Sequence, residues 1–228
     1  MESLNILCIS DHIDPLVYSY SIRDRFADVD LILSSGDLPF NYYDYIVSNL
    51  NRPLFFVFGN HNLDRIGFFQ RRYQDYTIMG QQVLGRQYGN GGATYVGGKV
   101  VRSMGLLIAG LGGSMWYNGG RNQYTDTGMF FSMLRLMPRL VWNKAVHGRF
   151  LDVLVTHAPP YRVGDLPDRC HTGFKALRWF LRTFRPSFLV HGHVHLYELN
   201  ARRVRTYADT VVINAYSHYL LRMEDAGT

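Results

Sequence analysis

Two histidines stand two residues apart where an apolar run of the chain gives way to polar residues. His193 and His195 follow Phe188-Leu189-Val190, a run that predicts a short buried strand. In extended backbone, side chains two residues apart leave the same face, so both imidazoles can reach one site. Gly192, directly before His193, allows the backbone to bend or approach closely there. Because imidazole binds Zn, Fe, Ni and Cu, this stretch predicts ligands for a transition metal.

Four other predicted strands also end in residues that ligate metals or transfer protons. These strands span residues 4–9, 31–33, 54–58 and 151–155, and the residues that follow them are Asp11, Asp37, Asn60 with His61, and His157. In open α/β sheets, ligands bind outside the carboxyl ends of the strands. We therefore expect these strand ends to converge on one crevice.

Helical and β-prone segments alternate between those strand ends. Helices are predicted over residues 16–26, 42–50, 126–146 and 173–184, with Pro138 expected to kink or split the third. Short β-prone pieces at 93–96, 99–102 and 106–109 predict a second, partly antiparallel sheet, followed by a long loop at 112–125. The stretches 204–207, 210–214 and 217–222 predict antiparallel strands that complete the fold.

The composition bounds the class of protein. The chain has 228 residues, 47% of them hydrophobic, which is enough for one full core, so residues 1–228 are predicted to form a single domain. The N-terminal apolar run has no basic region or cleavage signal, and no stretch is long enough for a membrane-spanning helix. Cys8 and Cys170 suggest no disulfide framework. We expect a soluble cytoplasmic protein that binds no membrane.

The charge balance favours an anionic partner. The formal net charge is +6 and the isoelectric point is near 9.4, which suits a phosphate ester or a nucleic acid. The arginines are scattered along the chain rather than gathered into a basic tract, so nucleic acid is not specifically indicated. The oligomeric state is not indicated by any feature of the sequence.

The five strand ends, in this order, resemble the motifs of the calcineurin-like metallophosphoesterase family. The family pattern is DxH, GD, GNH followed by an acid, a histidine in a THxP-like context, and GHxH. The matching segments are Asp11-His12-Ile13, Gly36-Asp37, Gly59-Asn60-His61-Asn62, Thr156-His157-Ala158-Pro159 and Gly192-His193-Val194-His195. The resemblance covers nearly the whole chain. It implies an α/β fold, a four-layer αββα sandwich with two mixed β-sheets, and a two-metal site along the strand ends.

The resemblance also implies metal ligands and a catalytic residue. The implied ligands are Asn60, His157 and His193 for one metal, Asp11 and His195 for the other, and Asp37 as the bridge between them. Mixed nitrogen and oxygen ligation without thiolate fits two Mn, Fe, Zn or Ni ions better than calcium. His61 is left free beside the metals, where its imidazole can donate to a phosphoryl oxygen or protonate the leaving group.

The sequence departs from the family pattern at two positions. Ile13 stands where the second ligand of DxH is histidine, so one metal lacks its usual imidazole. Asp14 and His12 are candidate substitutes, although Asp14 is also well placed to cap the following helix. Asn62 replaces the acid that usually follows GNH, and an amide cannot supply the negative charge that supports His61 as an acid.

Three further residues are candidates for contact with the substrate. His12 is interpreted as a substrate-facing or packed side chain. His171, in a loop before a predicted helix, either reaches the site or merely neighbours a helix cap. Arg121 lies in the long loop, and arginine can bind phosphate through two parallel hydrogen bonds. As a surface residue, Arg121 needs no such role.

These inferences predict a metal-dependent phosphohydrolase in which a hydroxide activated by two metals attacks a phosphate ester. We expect a phosphodiesterase, although the sequence identifies neither the physiological substrate nor the metals. The alternative is a non-catalytic interaction protein, because some proteins of this fold act as scaffolds after losing metal competence. Ile13 and Asn62 are steps in that direction, whereas the remaining motif residues favour catalysis.

Overall fold

Two mixed β-sheets form the centre of the computed structural model, which describes residues 3–73, 92–198 and 200–223. Their strands, in chain order, are β1 Leu4–Ser10, β2 Leu31–Ser34, β3 Leu54–Phe56, β4 Ala93–Tyr95, β5 Val100–Ser103, β6 Leu106–Leu111, β7 Ser114–Met115, β8 Gln123–Tyr124, β9 Val153–Thr156, β10 Phe188–His191, β11 Val204–Tyr207, β12 Thr210–Asn214 and β13 Ser217–Met223. The first sheet has the order β13-β1-β2-β3-β4, and the second has the order β11-β12-β10-β9-β6-β5. The short pair β7 and β8 lies within the segment predicted as a long loop.

The inner strands of both sheets are parallel, so their carboxyl ends share an edge. In the first sheet, β1 to β4 are parallel and β13 runs antiparallel to β1, with Leu4 opposite Met223. In the second sheet, β12, β10, β9 and β6 are parallel, while β11 and β5 are antiparallel to their neighbours. The predicted C-terminal strands form, but they divide between the sheets, because β11 and β12 form a hairpin in the second sheet whereas β13 crosses to the first.

Helices cover the outer faces of the sheets. They are α1 Ile22–Arg25, α2 Phe40–Leu50, α3 Ile66–Phe69, α4 Asp126–Leu134, α5 Met137–His147 and α6 Lys175–Phe184, with a short 3₁₀ turn at Arg71–Tyr73. The long helix predicted at 126–146 is split in two, and Pro138 lies in the first turn of α5, where its missing N–H costs no hydrogen bond. α6 buries Ala176 and four larger apolar side chains, Leu177, Phe180, Leu181 and Phe184, and each of these four contributes roughly 1.5–3 kcal/mol.

The helix predicted over residues 16–26 is wrong except for its last turn. Asp14 accepts hydrogen bonds from Leu16 through its side chain and from Val17 and Tyr18 through its backbone oxygen, which closes one isolated turn. Regular helix begins at Ile22. Serine, tyrosine and valine are among the weaker helix formers, and tertiary contacts at Asp14 decide the local conformation instead.

Three apolar clusters define the layers. One packs α2 against β1 and β2, with Tyr42 and Ile46 meeting Leu7 and Ile9. The opposite faces of the same strands pack against the second sheet, so the even-numbered residues of β1 lie between the sheets. A third cluster packs α4, α5 and α6 on the outside of the second sheet. The order helix, sheet, sheet, helix confirms the predicted αββα sandwich.

No helix in the described part of the chain is both long and apolar enough to cross a lipid bilayer.

Candidate metal centre

Three of the predicted ligands occupy sharp turns beyond strand ends. Asp11 follows β1, Asp37 follows β2 and His193 follows β10, and their φ angles are 61°, 58° and 65°. A left-handed backbone costs a non-glycine residue on the order of 1–3 kcal/mol, and the surrounding bonds must hold it. One such bond joins the Asp11 amide to the Gly36 oxygen at 3.1 Å.

His193 and His195 are placed by a tight turn and not by the extended strand that the sequence predicted. β10 ends at His191, and the Val194 amide donates to the Gly192 oxygen at 2.7 Å, so residues 193–195 lie in a tight turn rather than on a strand. The same-face argument for His193 and His195 was wrong in its geometry, because the left-handed turn replaces the extended backbone.

Three side chains from three different strand ends converge behind these turns. Asp11, Asp37 and His157 each offer a ligand atom, and these atoms all lie within 4.8 Å of one another. The first follows β1, the second follows β2 and the third follows β9, so the group joins the two sheets at their carboxyl edges. Among the described residues, this is the group of His, Cys, Asp or Glu side chains with the spacing of a metal site.

Both nitrogens of the buried His157 ring face oxygen atoms. Nδ1 lies 2.8 Å from the Ser35 backbone oxygen, while Nε2 lies 3.0 Å from Asn60 Oδ1 and 3.3 Å from Asp37 Oδ2. A neutral ring has one N–H, so the second nitrogen needs a proton or another cation between it and the oxygens. Burial opposes protonation, but the Asp37 charge and hydrogen bond outweigh it and raise the pKa of His157 to about 9.

The carboxylate of Asp11 leaves one oxygen without a hydrogen bond. Oδ2 accepts from the His193 amide at 2.9 Å, whereas Oδ1 is buried with no hydrogen-bond partner among the described residues, and His195 Nε2 lies 3.6 Å away. Burial alone would raise the pKa of Asp11, but the contacts with His195 and His157 lower it to about 2. The group is therefore ionised at neutral pH, and a buried anionic oxygen without a partner calls for a cation.

The two remaining imidazoles are oriented by bonds at one nitrogen each. His193 Nε2 lies 2.8 Å from the Cys170 backbone oxygen, and His195 Nδ1 lies 3.0 Å from the Tyr197 hydroxyl. Burial and the nearby His157 lower the pKa of His193 to about 3, so its ring is neutral at pH 7. A ring that donates one N–H to a carbonyl keeps the lone pair of its other nitrogen for a metal.

Two glycines make room for this arrangement. A Cβ atom at Gly59 would overlap the Asp37 carboxylate and the His157 ring, and one at Gly192 would overlap Ser10 and the Asp11 carboxylate. The backbone thus approaches the carboxylates more closely than any other residue type allows. The donor set is a carboxylate pair, an amide oxygen and imidazoles, and it fits transition-metal ions.

The chain matches the family model for the calcineurin-like phosphoesterases over residues 4–197. The chain belongs to this family. Members bind two metal ions, and Asp11, Asp37 and His157 supply a candidate site. A comparison with curated proteins finds no match.

Solved structures share the phosphoesterase fold at low sequence identity. One crystal structure is 12% identical with a TM-score of 0.62, and the alignment covers 98% of this chain and 99% of that one. The structure of TT1561 from Thermus thermophilus is 14% identical with a TM-score of 0.60, covering 97% of this chain and 99% of that one. A structure described as a novel archaeal phosphodiesterase is 12% identical over 96% of this chain and 100% of that one, but its TM-score of 0.38 supports no inference.

Asp14 and Ile13, which follow Asp11 in this phosphoesterase, lie in different environments. Asp14 Oδ1 accepts from the Leu16 amide at 2.8 Å, and Oδ2 lies 2.5 Å from both Ser217 Oγ and His218 Nδ1. Asp14 therefore closes an isolated turn and does not cap a helix as expected, since regular helix begins only at Ile22, and it is not part of the group formed by Asp11, Asp37 and His157. Ile13 is 39% exposed.

His12 and His61 lie on the exposed side of the phosphoesterase site. The His12 ring stacks on Tyr216 with the centroids 6.0 Å apart. The His61 side chain is exposed, while its backbone amide donates to Asp37 Oδ1 at 2.8 Å. Asn62 also contacts Asp37, because its side-chain amide donates to the Asp37 backbone oxygen at 2.9 Å. The loop at residues 59–62, here called the GNH loop, is therefore bound to Asp37 at two points.

His171 and Arg121, both predicted to contact the substrate, differ in how close they lie to the proposed metal ligands. The His171 ring centroid lies 5.2 Å from that of His193, and Asp168 accepts from His171 Nδ1 at 2.9 Å. Arg121 is exposed, and it forms no hydrogen bond or ion pair with any residue in the described ranges. The structure thus brings His171 to the site and leaves Arg121 in solvent.

Sequence reasoning did not predict that residues of the long loop support the GNH loop from behind. Asn122 is fully buried, with φ of 55°, and its side-chain amide donates to the backbone oxygens of Phe58 at 3.1 Å and Gly59 at 2.6 Å. Tyr117 accepts from Asn60 Nδ2 at 3.4 Å, which orients the Asn60 oxygen towards His157. Both residues lie in the segment predicted as a functional loop, but no local pattern indicated this supporting role.

Proposed function

We propose that the protein is a metal-dependent phosphohydrolase that cleaves phosphodiesters. The observation that carries the proposal is the convergence of Asp37 and Asn60 oxygens on His157 Nε2 beside the unpartnered oxygen of Asp11. These oxygen and nitrogen atoms can all donate electron pairs to a bound cation, as expected in a phosphoesterase.

The proposed ligands form two sets that share one carboxylate. Asn60, His157 and His193 would hold one ion, and Asp11 and His195 would hold the other. Asp37 would bridge them, which suits its position against His157 and its pKa, which burial tends to raise but His157 lowers overall. The nitrogen and oxygen donors favour Mn, Fe, Zn or Ni. Two such ions supply Lewis-acid activation of water and charge stabilisation of the phosphoryl group.

The chain itself would orient the substrate and handle a proton. We propose that the His61 imidazole donates a proton to the leaving oxygen, since its backbone amide is fixed to Asp37 and its side chain is exposed to a bound substrate. His12 and His171 would flank the phosphate on the β1 side and the α6 side.

The side chains around the centre support a diester over a monoester. A phosphomonoester is largely dianionic at neutral pH, and proteins commonly bind such groups with Arg or Lys. The groups that contact the proposed ligands are instead neutral, such as Tyr117 and Tyr197, or imidazole, such as His171. No Lys or Arg in the described ranges forms a hydrogen bond or ion pair with a proposed ligand. A monoanionic diester matches this environment better.

Metal analysis combined with a substrate panel tests the proposal. The purified protein would be supplied with Mn, Fe, Ni or Zn and assayed against phosphomonoesters and phosphodiesters. Asp37→Asn is expected to abolish turnover and reduce the content of both metals. Asp209→Asn is the matched control, because Asp209 is a surface residue paired with Arg185, and it should leave both quantities unchanged.

Different outcomes test the diester preference, the two-metal centre and catalysis itself. Faster hydrolysis of monoesters than of diesters would overturn the diester preference. Full activity of Asp37→Asn would overturn the two-metal centre. If the parent protein hydrolyses no ester with any of these metals, the non-catalytic scaffold becomes the better description.

We also propose a cytoplasmic location, because Cys8 and Cys170 are free and Cys8 is buried among apolar side chains.

A further inference from the structure

A cavity of about 440 Å³, separate from the candidate metal centre, lies beside the GNH loop. Four basic residues from three separate parts of the chain line it, namely Arg71, Arg72, Lys99 and Arg135, and its described lining contains no Asp or Glu. Its volume is in the range of small-molecule sites in proteins. None of the proposed metal ligands or substrate contacts lines this cavity.

The side chain of Arg72 is already held in place. Its guanidinium lies 4.6 Å from the ring centroids of both Tyr73 and Tyr124, and it donates to Gln70 Oε1 at 3.0 Å and to Asn122 Oδ1 at 3.0 Å. All of these partners are neutral. The contacts fix the guanidinium without cancelling its charge, so it is preorganised for an anion.

The other three cations also lack a negative partner in the described chain. Lys99 Nζ contacts the Tyr95 ring and backbone oxygen, which are neutral. Arg71 and Arg135 form no hydrogen bond with a described residue, and no described carboxylate pairs with any of the four. Like charges that share a cavity repel one another, and a concave surface of one sign concentrates counter-ions.

We propose that this cavity binds a small phosphate-bearing molecule. A phosphate group offers several acceptor oxygens to the guanidinium and ammonium groups, and tyrosine rings such as Tyr124 flank the space that the rest of the ligand would occupy. The site is distinct from the metal centre, although Arg72 connects the two through Asn122, which holds the Gly59 oxygen. The proposal does not depend on hydrolysis at the metal centre.

Calorimetric titration with inorganic pyrophosphate tests the proposal. The full-length protein would be freed of metal with a chelator, which removes the other anion-binding centre, and titrated at about 0.15 M salt. Saturable binding at one site is expected. The double variant Lys99→Gln/Arg135→Gln should weaken it by about tenfold or more, because charge-assisted hydrogen bonds to phosphate are lost. Asp37→Asn should leave the affinity unchanged.

Arg139→Gln is the matched control, because Arg139 is an exposed arginine of the neighbouring α5 helix and does not line the cavity. It should change the affinity by no more than about twofold, the screened effect of one remote charge. Thermal unfolding of each variant checks that the fold persists. Absence of saturable binding, equal binding by the folded double variant, or loss of binding in Asp37→Asn would each overturn the proposal.

Discussion

The Nε2 atom of His157 lies 3.0 Å from the Oδ1 atom of Asn60, so a proton on Nε2 would compete with a metal ion held by the proposed ligands. Because the pKa of His157 is raised to about 9 in the metal-free protein, a metal must displace the proton at lower pH. We expect the apparent metal affinity to increase as the pH rises to about 9 and then to level off. Metal titrations at several pH values, with His147→Gln as a control, measure this. A pH-independent affinity would contradict it.

The same competition predicts how stability depends on pH without metal. The folded-state pKa of His157 lies above its ordinary value of 6.5, so the ion pair with Asp37 stabilises the fold fully below pH 6.5. That contribution is lost as the pH rises through about 9. Thermal unfolding of chelator-treated protein should therefore show a falling midpoint across this window. His157→Gln should flatten the pH profile of the unfolding midpoint. An unchanged profile in that variant would show that the His157–Asp37 ion pair does not cause the pH dependence.

The two metal ions are expected to bind with different affinities. The proposed ligand set of Asn60, His157 and His193 has every residue that the family pattern implies, whereas the other proposed set has Ile13 where the pattern has histidine. Calorimetric titration of the parent should show one tighter and one weaker event. Ile13 is 39% exposed, so Ile13→His should be tolerated and should tighten the weaker event. Two equal events in the parent would show that another side chain has replaced the missing ligand.

Substitution of His61 tests whether the protein is an enzyme or a non-catalytic scaffold. His61→Ala should leave the metal content unchanged while lowering turnover, because general acid catalysis contributes roughly 100- to 10,000-fold. The loss should be at the low end, since Asn62 contacts Asp37 and supplies no negative charge to the imidazole. The defect should grow with the pKa of the leaving group across a series of aryl diesters. Equal rates for parent and variant across that series would remove the acid role.

Asn122 is predicted to position the GNH loop rather than to contact the substrate. Asn122→Ala removes the side-chain donor of the Gly59 oxygen, while the Phe58 oxygen keeps only its bond from the Gly113 amide at 2.8 Å, and the loss should cost about 1–3 kcal/mol of unfolding free energy. Metal affinity should fall as well, because Asn60 follows directly in the chain. Urea unfolding and metal titration measure the two effects. Asn41→Ala, at an exposed position of α2, is the control, and an effect no larger than the control would refute the role.

Asp14 is predicted to stabilise the fold and not to bind metal. Both of its oxygens are engaged, by the Leu16 amide and by Ser217 with His218. Burial tends to raise the pKa of Asp14, but these partners lower it overall, so its contribution is present at neutral pH and is lost as the pH falls below 3.8. Asp14→Asn should reduce the unfolding free energy by about 1–3 kcal/mol. The metal content should not change, and loss of one ion per chain would restore Asp14 as a ligand.

Much of the fold and the position of the site followed from local patterns. An apolar run such as residues 4–9 must be buried as a strand, and parallel strands end at a common edge, so Asp11, Asp37 and His157 were expected to meet. The split at Pro138 also followed from local chemistry, because proline cannot donate within a helix. These inferences succeeded because they rest on local sequence patterns and on the common geometry of parallel sheets.

The tertiary structure decided what depends on residues far apart in the chain. Asp14 meets His218 across 204 positions and Asp11 meets the His193 amide across 182, and neither contact has a local signature. The same kind of contact breaks the predicted helix at 16–26, sends β13 into the first sheet and buries Asn122 behind the GNH loop. Sequence alone determined which residue types were available for metal chemistry. Packing of the two sheets determined which atoms face each other, because hydrogen-bond geometry and burial exist only once both partners are in place.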